Sequence, residues 1–416
     1  MSAKSWVEVD SDSHFPIQNL PFGMCDSEHA EGMAVCRIGD FVVDIFALYE
    51  TGLIPATDSM ATGSIEEMCE YGGRKEVERV RSAVFDLLEA NNPRLRDDEG
   101  LKSQVLLPIE SVQMSIPIGI PAFIDFYSGI NHASNVGKMF RPDMPPLLPN
   151  YRHLPVGYNG RASSVMVSGE PVLRPNGQTI GANDETPTFG PTKELDFELE
   201  MGFFVASGND MGHPIRVEDA FDHMLGLVLV NDWSARDVQR WEYQPLGPFL
   251  AKSFATSISP WIVTLAALEP YRVDGLQQEP EALPYLRQPP RSHFDIQLEV
   301  LLKTAQATKP QLICRTNSRE LYWSMPQQLA HQTSNGTPVE IGDLYASGTI
   351  SGAELGTFGS LLELTHRGQN PITIEETGEQ RTFLEDGDEL IMRGWCQGDG
   401  FRVGFGEVAS KVIGKT

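Results

Sequence analysis

From about residue 115 onward the chain is a succession of short strand-forming runs, Leu195–Val205, Leu225–Val230, Phe294–Leu302, Leu361–Leu364, Glu389–Trp395 and Phe401–Phe405, with Gly and Pro between them. That texture admits few folds, because short apolar runs cut by turn formers pair into sheets and do not sustain long helices. The irregular stretches Arg174–Lys193 and Pro270–Pro290 then read as loops packed over a large β core. Before residue 115 the pattern differs. Val35–Ile38 and Phe41–Ile45 flank Gly39-Asp40, the mark of a tight hairpin, and Val77, Val80, Val84, Leu87 and Leu88 recur at helical spacing until Asn91-Asn92-Pro93 stops the helix. The expected fold class is mainly β, or α+β. A small N-terminal β domain precedes a large mixed-β domain, with the boundary around residues 110–120. At 416 residues and 41% hydrophobic content the chain can fill the cores of both.

The formal net charge is −25. Such a field repels polyanions, so nucleic acid and anionic membrane are poor partners. It also repels acidic metabolites, so a site for one must gather Arg and Lys locally. The first thirty residues lack the basic start and apolar run of a secretory leader, and no run of apolar residues approaches a membrane span. A soluble, cytoplasmic protein is the expectation. Five scattered cysteines, with no CxxC pair, indicate neither a disulfide framework nor a thiolate zinc site.

Chemistry concentrates at Leu195-Asp196-Phe197-Glu198-Leu199-Glu200-Met201, where apolar and acidic residues alternate. On a strand, residues two apart stand roughly 6.5 Å apart on one face, so Glu198 and Glu200 can converge on one cation. An alternating strand more often simply shows its polar face to water. A cation site therefore needs further carboxylates arriving from elsewhere. Asp232, after the apolar run Leu225–Val230, and Asp125, in Asp125-Phe126-Tyr127-Ser128, are the candidates. Four carboxylates without His or Cys ligands suit Mg²⁺ or Ca²⁺.

Around Asp232 the sequence mixes charge with Trp, Pro and Gly. Arg236 and Gln239, three apart, share a face if the segment is helical, and both can donate to one anion. An ordinary surface helix with an Arg-Asp pair is the competing reading. His132 is the histidine next to the candidate ligands, although an isolated histidine is usually structural. No GxSxG elbow, Walker A loop or GxGxxG fingerprint is present.

These residues, together with Phe15–Pro21, His153–Tyr158, Ala346–Gly352 and Cys396–Gly400, resemble the fumarylacetoacetate hydrolase (fumarylacetoacetase) family along nearly the whole chain. The resemblance implies a small SH3-like β-barrel domain over residues 1–117 and a catalytic mixed-β domain over 118–416, in a homodimer. It implies hydrolysis of the carbon–carbon bond of 4-fumarylacetoacetate to fumarate and acetoacetate, the last step of tyrosine and phenylalanine degradation. Asp125, Glu198, Glu200 and Asp232 are similar to the family's metal ligands, for Mg²⁺ or Ca²⁺ or both, and Lys252 and Thr256 to a second cation site. His132 and Glu363 resemble its water-activating pair. Arg236, Gln239 and Lys252 match its oxyanion-stabilising positions, and Tyr127, Arg141, Tyr158, Gln239, Tyr243 and Thr349 its substrate contacts. The chain departs from the family at Ser134, Asn159 and Ala251. The alternatives are another β-diketone or acylpyruvate hydrolase or decarboxylase of the same fold, or a non-catalytic relative.

Glu363 receives one expectation of its own. It lies between Leu362 and Leu364 in a segment read as an apolar strand, where a carboxylate facing the core needs a partner. The expected partner is His132.

Overall fold

The structure is a computed structural model and describes residues 3–28, 30–55 and 63–414. Its N-terminal part is a five-stranded antiparallel sheet in the order Leu106–Pro108, Phe41–Asp44, Met33–Ile38, Phe22–Asp26, Gln113–Ser115. The hairpin expected at Gly39-Asp40 is present, with Ile38 opposite Phe41 and Gly39 at φ 53°. The two edge strands do not pair among the described residues, so the sheet is a half-barrel. Packed against it is the helix Ile65–Leu88, which starts earlier than its apolar spacing suggests, under a Ser64 cap, and kinks at Gly73.

The rest of the chain is built around two large sheets. The larger runs Gly157–Asn159, Phe123–Phe126, Leu344–Ala346, Leu199–Val205, Met224–Asp232, Thr256–Ile258, Val165–Val167. Two of its pairings, Leu344–Ala346 with Phe123–Phe126 and Thr256–Ile258 with Val165–Val167, are parallel, which makes the sheet mixed. The second runs Gln311–Asn317, Gln297–Lys303, Glu389–Gln397, Arg402–Ile413, Val172–Leu173. Both faces of the larger sheet are covered, which explains why Leu225–Val230 is apolar without alternation. Phe203, Leu227 and Leu229 join Leu298, Val300 and Met392 of the second sheet in one core, while Phe204, Val228, Val230 and Leu344 join the N-terminal helix and sheet in another.

The N-terminal layer leaves one end of its face free. Strand periodicity and register put Phe123 with Asp125, Phe204 with Glu200, and Val230 with Asp232 on that face, apolar under the N-terminal layer and acidic beyond it. Gly202 and Ala346 lie opposite each other between the acidic strands.

Three local expectations are corrected. Leu195–Val205 is not one continuous strand: Leu195–Asp196 pairs with Ser234–Ala235, Leu199–Val205 pairs with Met224–Asp232, and the ladder is interrupted between them at Phe197-Glu198. Leu361–Leu364 is a helical turn, because Ser360 caps it and its peptide N–H groups find side-chain acceptors. The stretch 174–193 contains a hairpin, Asn176–Thr179 with Thr188–Pro191. All five cysteines are buried and unpaired, and burial pushes Cys25, Cys36 and Cys69 up to about 12.

Candidate active site

Asp125, Glu198, Glu200 and Asp232 each offer a carboxylate oxygen, and these atoms lie within 4.8 Å of one another. All four residues are buried, so the solvated outer face is not what the alternating segment forms. The break in pairing at Phe197-Glu198 separates the three carboxylates of that segment. Glu198 and Glu200 enter the cluster, whereas Asp196 turns away toward Arg236.

The electrostatics of the cluster are uneven. Burial opposes the charge on Glu198, but Lys252 and Arg236 outweigh it and hold the carboxyl well below its usual range. Asp125 and Glu200 form no ion pair among the described residues, and the more distant Lys252 charge only partly offsets their surroundings. Burial and the neighbouring carboxylates push both well above the usual carboxylate range. Among the described residues, Asp125 Oδ1 and Glu200 Oε1 are buried without a hydrogen-bond partner. Two orphaned acceptors in an all-oxygen donor set fit a hard divalent cation.

Lys252 donates to Glu198 and, at 2.8 Å, to Asp232 Oδ2. Burial disfavours its ammonium, yet Asp232 and Glu198 keep it charged. A protonated Nζ has no lone pair for a metal, so only the Lys252 carbonyl could ligate. Thr256 lies opposite Asp232 on the adjacent strand and donates to its Oδ1 at 2.9 Å. Tyr158 donates to Asp232 Oδ2 at 3.0 Å.

On the other side of Glu198, His132 occupies the helix Ile130–Phe140. Its Nε2 is 3.8 Å from Glu198 Oε1 and its Nδ1 is 2.6 Å from Glu363 Oε2. Glu363 also accepts from Asn135 Nδ2 at 2.9 Å and from the Ser351 and Ser360 hydroxyls at 2.8 Å each. Burial works against its charge, but His132 and these donors bring its carboxyl below the usual range.

Arg236 opens the helix Arg236–Glu242 and is buried, which overturns the surface-helix reading. It donates to Asp196 Oδ2 at 2.8 Å, Glu198 Oε1 at 2.7 Å and Gln239 Oε1 at 3.1 Å. Because Gln239 spends its carbonyl on Arg236, its amide N–H groups are left to donate elsewhere. Arg236 Nη2 has no partner among the described residues.

A cavity of about 400 Å³ opens onto Asp125, Tyr127, His132, Arg141, Tyr158, Glu198, Arg236, Gln239, Tyr243 and Lys252. Val136, Phe140, Leu147 and Leu246 give it an apolar wall. Its volume falls in the range of small-molecule sites. Glu200, Asp232, Glu363, Thr256 and Thr349 are not on its wall. Glu363 backs His132, Thr256 backs Asp232, and Thr349 is buried with its Oγ1 unpartnered among the described residues. Of the three departures, Ala251 is buried beside Lys252, Ser134 is half-buried, and Asn159 lines a separate hollow of about 170 Å³ that also reaches Asp232 and Lys252.

Sequence reasoning missed Asn135, Ser351 and Ser360. A hydroxyl or amide at a buried carboxylate has no local signature, although Ser360 three residues before Glu363 has the spacing of a cap.

Comparisons with known proteins agree with one another. The family model described as fumarylacetoacetate (FAA) hydrolase C-terminal matches residues 123–413, and that described as fumarylacetoacetase N-terminal matches residues 18–117. The chain is 45% identical to a fumarylacetoacetase of Oryza sativa subsp. japonica over 99% of this chain and 97% of the relative. It is 46% identical to a fumarylacetoacetase of Mus musculus, covering 98% of each chain. A solved structure, described as fumarylacetoacetate hydrolase from psychrophilic Exiguobacterium antarcticum, superposes with TM-score 0.51 over 95% of this chain and 100% of that one. At 16% identity that likeness shows the fold alone.

Proposed function

The chain belongs to the fumarylacetoacetate hydrolase family, and from that premise we propose that it hydrolyses the carbon–carbon bond of 4-fumarylacetoacetate, releasing fumarate and acetoacetate. The observation that carries this reading is the convergence of a buried carboxylate cluster, a His-Glu pair and a fork of cationic donors on one cavity. Whole-chain similarity leaves the other hydrolase and decarboxylase readings, and the non-catalytic one, without a supporting observation.

Asp125, Glu198, Glu200 and Asp232 would hold Mg²⁺ or Ca²⁺, with Thr256 and the Lys252 carbonyl available to a second cation. Such an ion would supply Lewis acidity toward the two oxygens of a 1,3-diketone. The remaining work falls to the protein. Glu363 holds Nδ1–H of His132, which leaves Nε2 as the base that takes a proton from water. The water oxygen attacks the carbonyl carbon on the fumaryl side while Arg236, Gln239 and Lys252 face the oxygen where negative charge develops. The carbon–carbon bond then breaks with its electron pair on the acetoacetate carbon, which takes up a proton. Arg141 meets a substrate carboxylate, and Tyr127, Tyr158 and Tyr243, which line the cavity, complete the contacts.

The same proposal includes a homodimer, cytoplasmic residence and a domain division at residues 117 and 118. The two family models, which match 18–117 and 123–413, support that division. In the described residues no helix is long and apolar enough to cross a membrane. The test is loss of fumarylacetoacetate absorbance with purified protein in Mg²⁺ or Ca²⁺, with fumarate and acetoacetate appearing in equal amounts. Absence of turnover with both ions would overturn the reading.

A further inference from the structure

Asp196 is wholly buried, and both of its oxygens are fully used. Oδ1 accepts from the peptide N–H of Phe197 at 2.8 Å and of Leu361 at 2.7 Å. Oδ2 accepts from Arg236 Nε at 2.8 Å and from the peptide N–H of Leu362 at 3.0 Å. One carboxylate thus ties the guanidinium on the oxyanion side of the cavity to the helical turn that carries Glu363.

The turn depends on this residue. A helical turn begins with N–H groups that have no partner inside it. Here Leu361 and Leu362 donate to Asp196, and Glu363 donates to Ser360 Oγ. The turn is buried, so each N–H left without an acceptor carries a desolvation cost. Arg236 depends on it equally. Asp196 fixes Nε, which aims the guanidinium so that Nη1 spans Glu198 and Gln239 while Nη2 stays free beside the cavity.

We propose that Asp196 is the positioning residue of this site, setting Arg236 and the Glu363–His132 pair in one geometry. The proposal rests on the roles assigned above to Arg236 and Glu363. Chemistry requires a carboxylate at this position. Four donors converge on it, and an asparagine of the same size can accept only on its carbonyl oxygen. Its amide group would then face Arg236 Nε and the Leu362 N–H, both donors.

Asp196→Asn should lower kcat by about 10- to 100-fold, the scale expected when reacting groups are displaced by about an ångström, with KM changed far less. Cation affinity, read by calorimetry, should stay within a few fold, because Asp196 is outside the carboxylate cluster. In a cycle with Arg236→Lys, the double variant should lose little more than the worse single variant.

A second measurement needs neither turnover nor a folded Asp196 variant. In Arg236→Met, hydrogen exchange at Leu361 and Leu362 should quicken relative to Leu227, although Arg236 touches neither amide. Unchanged kcat in Asp196→Asn, multiplying losses in the cycle, or unaltered exchange at Leu361 and Leu362 would each overturn the proposal. Failure of the proposed reaction itself would leave the exchange result standing, so the two failures are distinguishable.

Discussion

His132 Nδ1 and Glu363 Oε2 meet at 2.6 Å across 231 residues of chain. Both side chains are buried, and Glu363 collects further donors from Asn135, Ser351 and Ser360. Removing a general base typically costs on the order of a hundred- to ten-thousand-fold in rate. His132→Ala should lose kcat on that scale while keeping its cation and its fold. Glu363→Gln should lose a large part of the same factor. The double variant should lose little more than the worse single one, because the two act as a unit. Losses that multiply would separate them.

Arg141 caps the His132 helix at its C-terminal end and lines the cavity. It donates to the Pro146 carbonyl at 3.2 Å, and its Nε has no partner among the described residues. In the proposed reaction it would supply, against a net charge of −25, the local cation that a dianionic substrate needs. Arg141→Met should raise KM by on the order of 10- to 100-fold, the value of one charge-assisted contact. The effect should be small for a neutral diketone analogue. Equal losses for both compounds would assign Arg141 to structure.

Gly348 adopts φ +78°, and a Cβ there would stand 2.3 Å from the Phe126 carbonyl oxygen. Its N–H donates to Glu200 Oε2 at 2.9 Å, so the glycine holds a member of the acidic cluster from behind. Gly348→Ala should cost about 1–3 kcal/mol of stability from the left-handed backbone alone. The backbone clash adds to that and displaces the donor from Glu200. Thermal denaturation should show a lowered Tm, and calorimetry a weaker cation affinity in whatever folds. Wild-type values in both would show that the turn accommodates a side chain.

Much of this was legible in the residues because the fold and the site use the same local signals. The hairpin at Gly39-Asp40 follows from a dipeptide, and the reach of Arg236 and Gln239 to one another from a spacing of three. The misreadings share a physical cause. Leu361–Leu364 has strand composition, yet acceptors 165 residues away on Asp196 and a hydroxyl on Ser360 satisfy a helical turn instead. Alternation puts Asp196, Glu198 and Glu200 on one face, yet Asp196 turns to Arg236 while Glu198 and Glu200 enter the cluster, because the ladder is interrupted at Phe197-Glu198, where the Glu198 N–H donates to the Asn231 side chain. Periodicity reports which face a residue shares and is silent on where pairing is interrupted.

The acidic cluster carries the last prediction, which concerns protons. Without a cation, burial and mutual repulsion raise the carboxyls of Asp125 and Glu200 well above their ordinary values of 3.8 and 4.5. A carboxyl raised on folding binds its proton more tightly in the native state than in the unfolded chain. Its stabilising contribution is therefore complete below those ordinary values and is lost as pH rises through the raised ones. Metal-stripped protein should thus lose Tm as pH rises above those ordinary values, as these two groups are forced to ionise beside the carboxylates of Glu198 and Asp232. Added Mg²⁺ or Ca²⁺ takes the place of those protons, so the Tm gain on adding cation should grow with pH over the same interval. Binding should also release protons, seen as a dependence of the calorimetric binding enthalpy on the ionisation enthalpy of the buffer. Asp125→Asn should reduce both the release and the pH dependence while weakening cation binding. A Tm gain that is constant or falls with pH, together with buffer-independent enthalpies, would mean that the cluster is already ionised without a cation and that its charges are balanced elsewhere, by Lys252 and Arg236 alone.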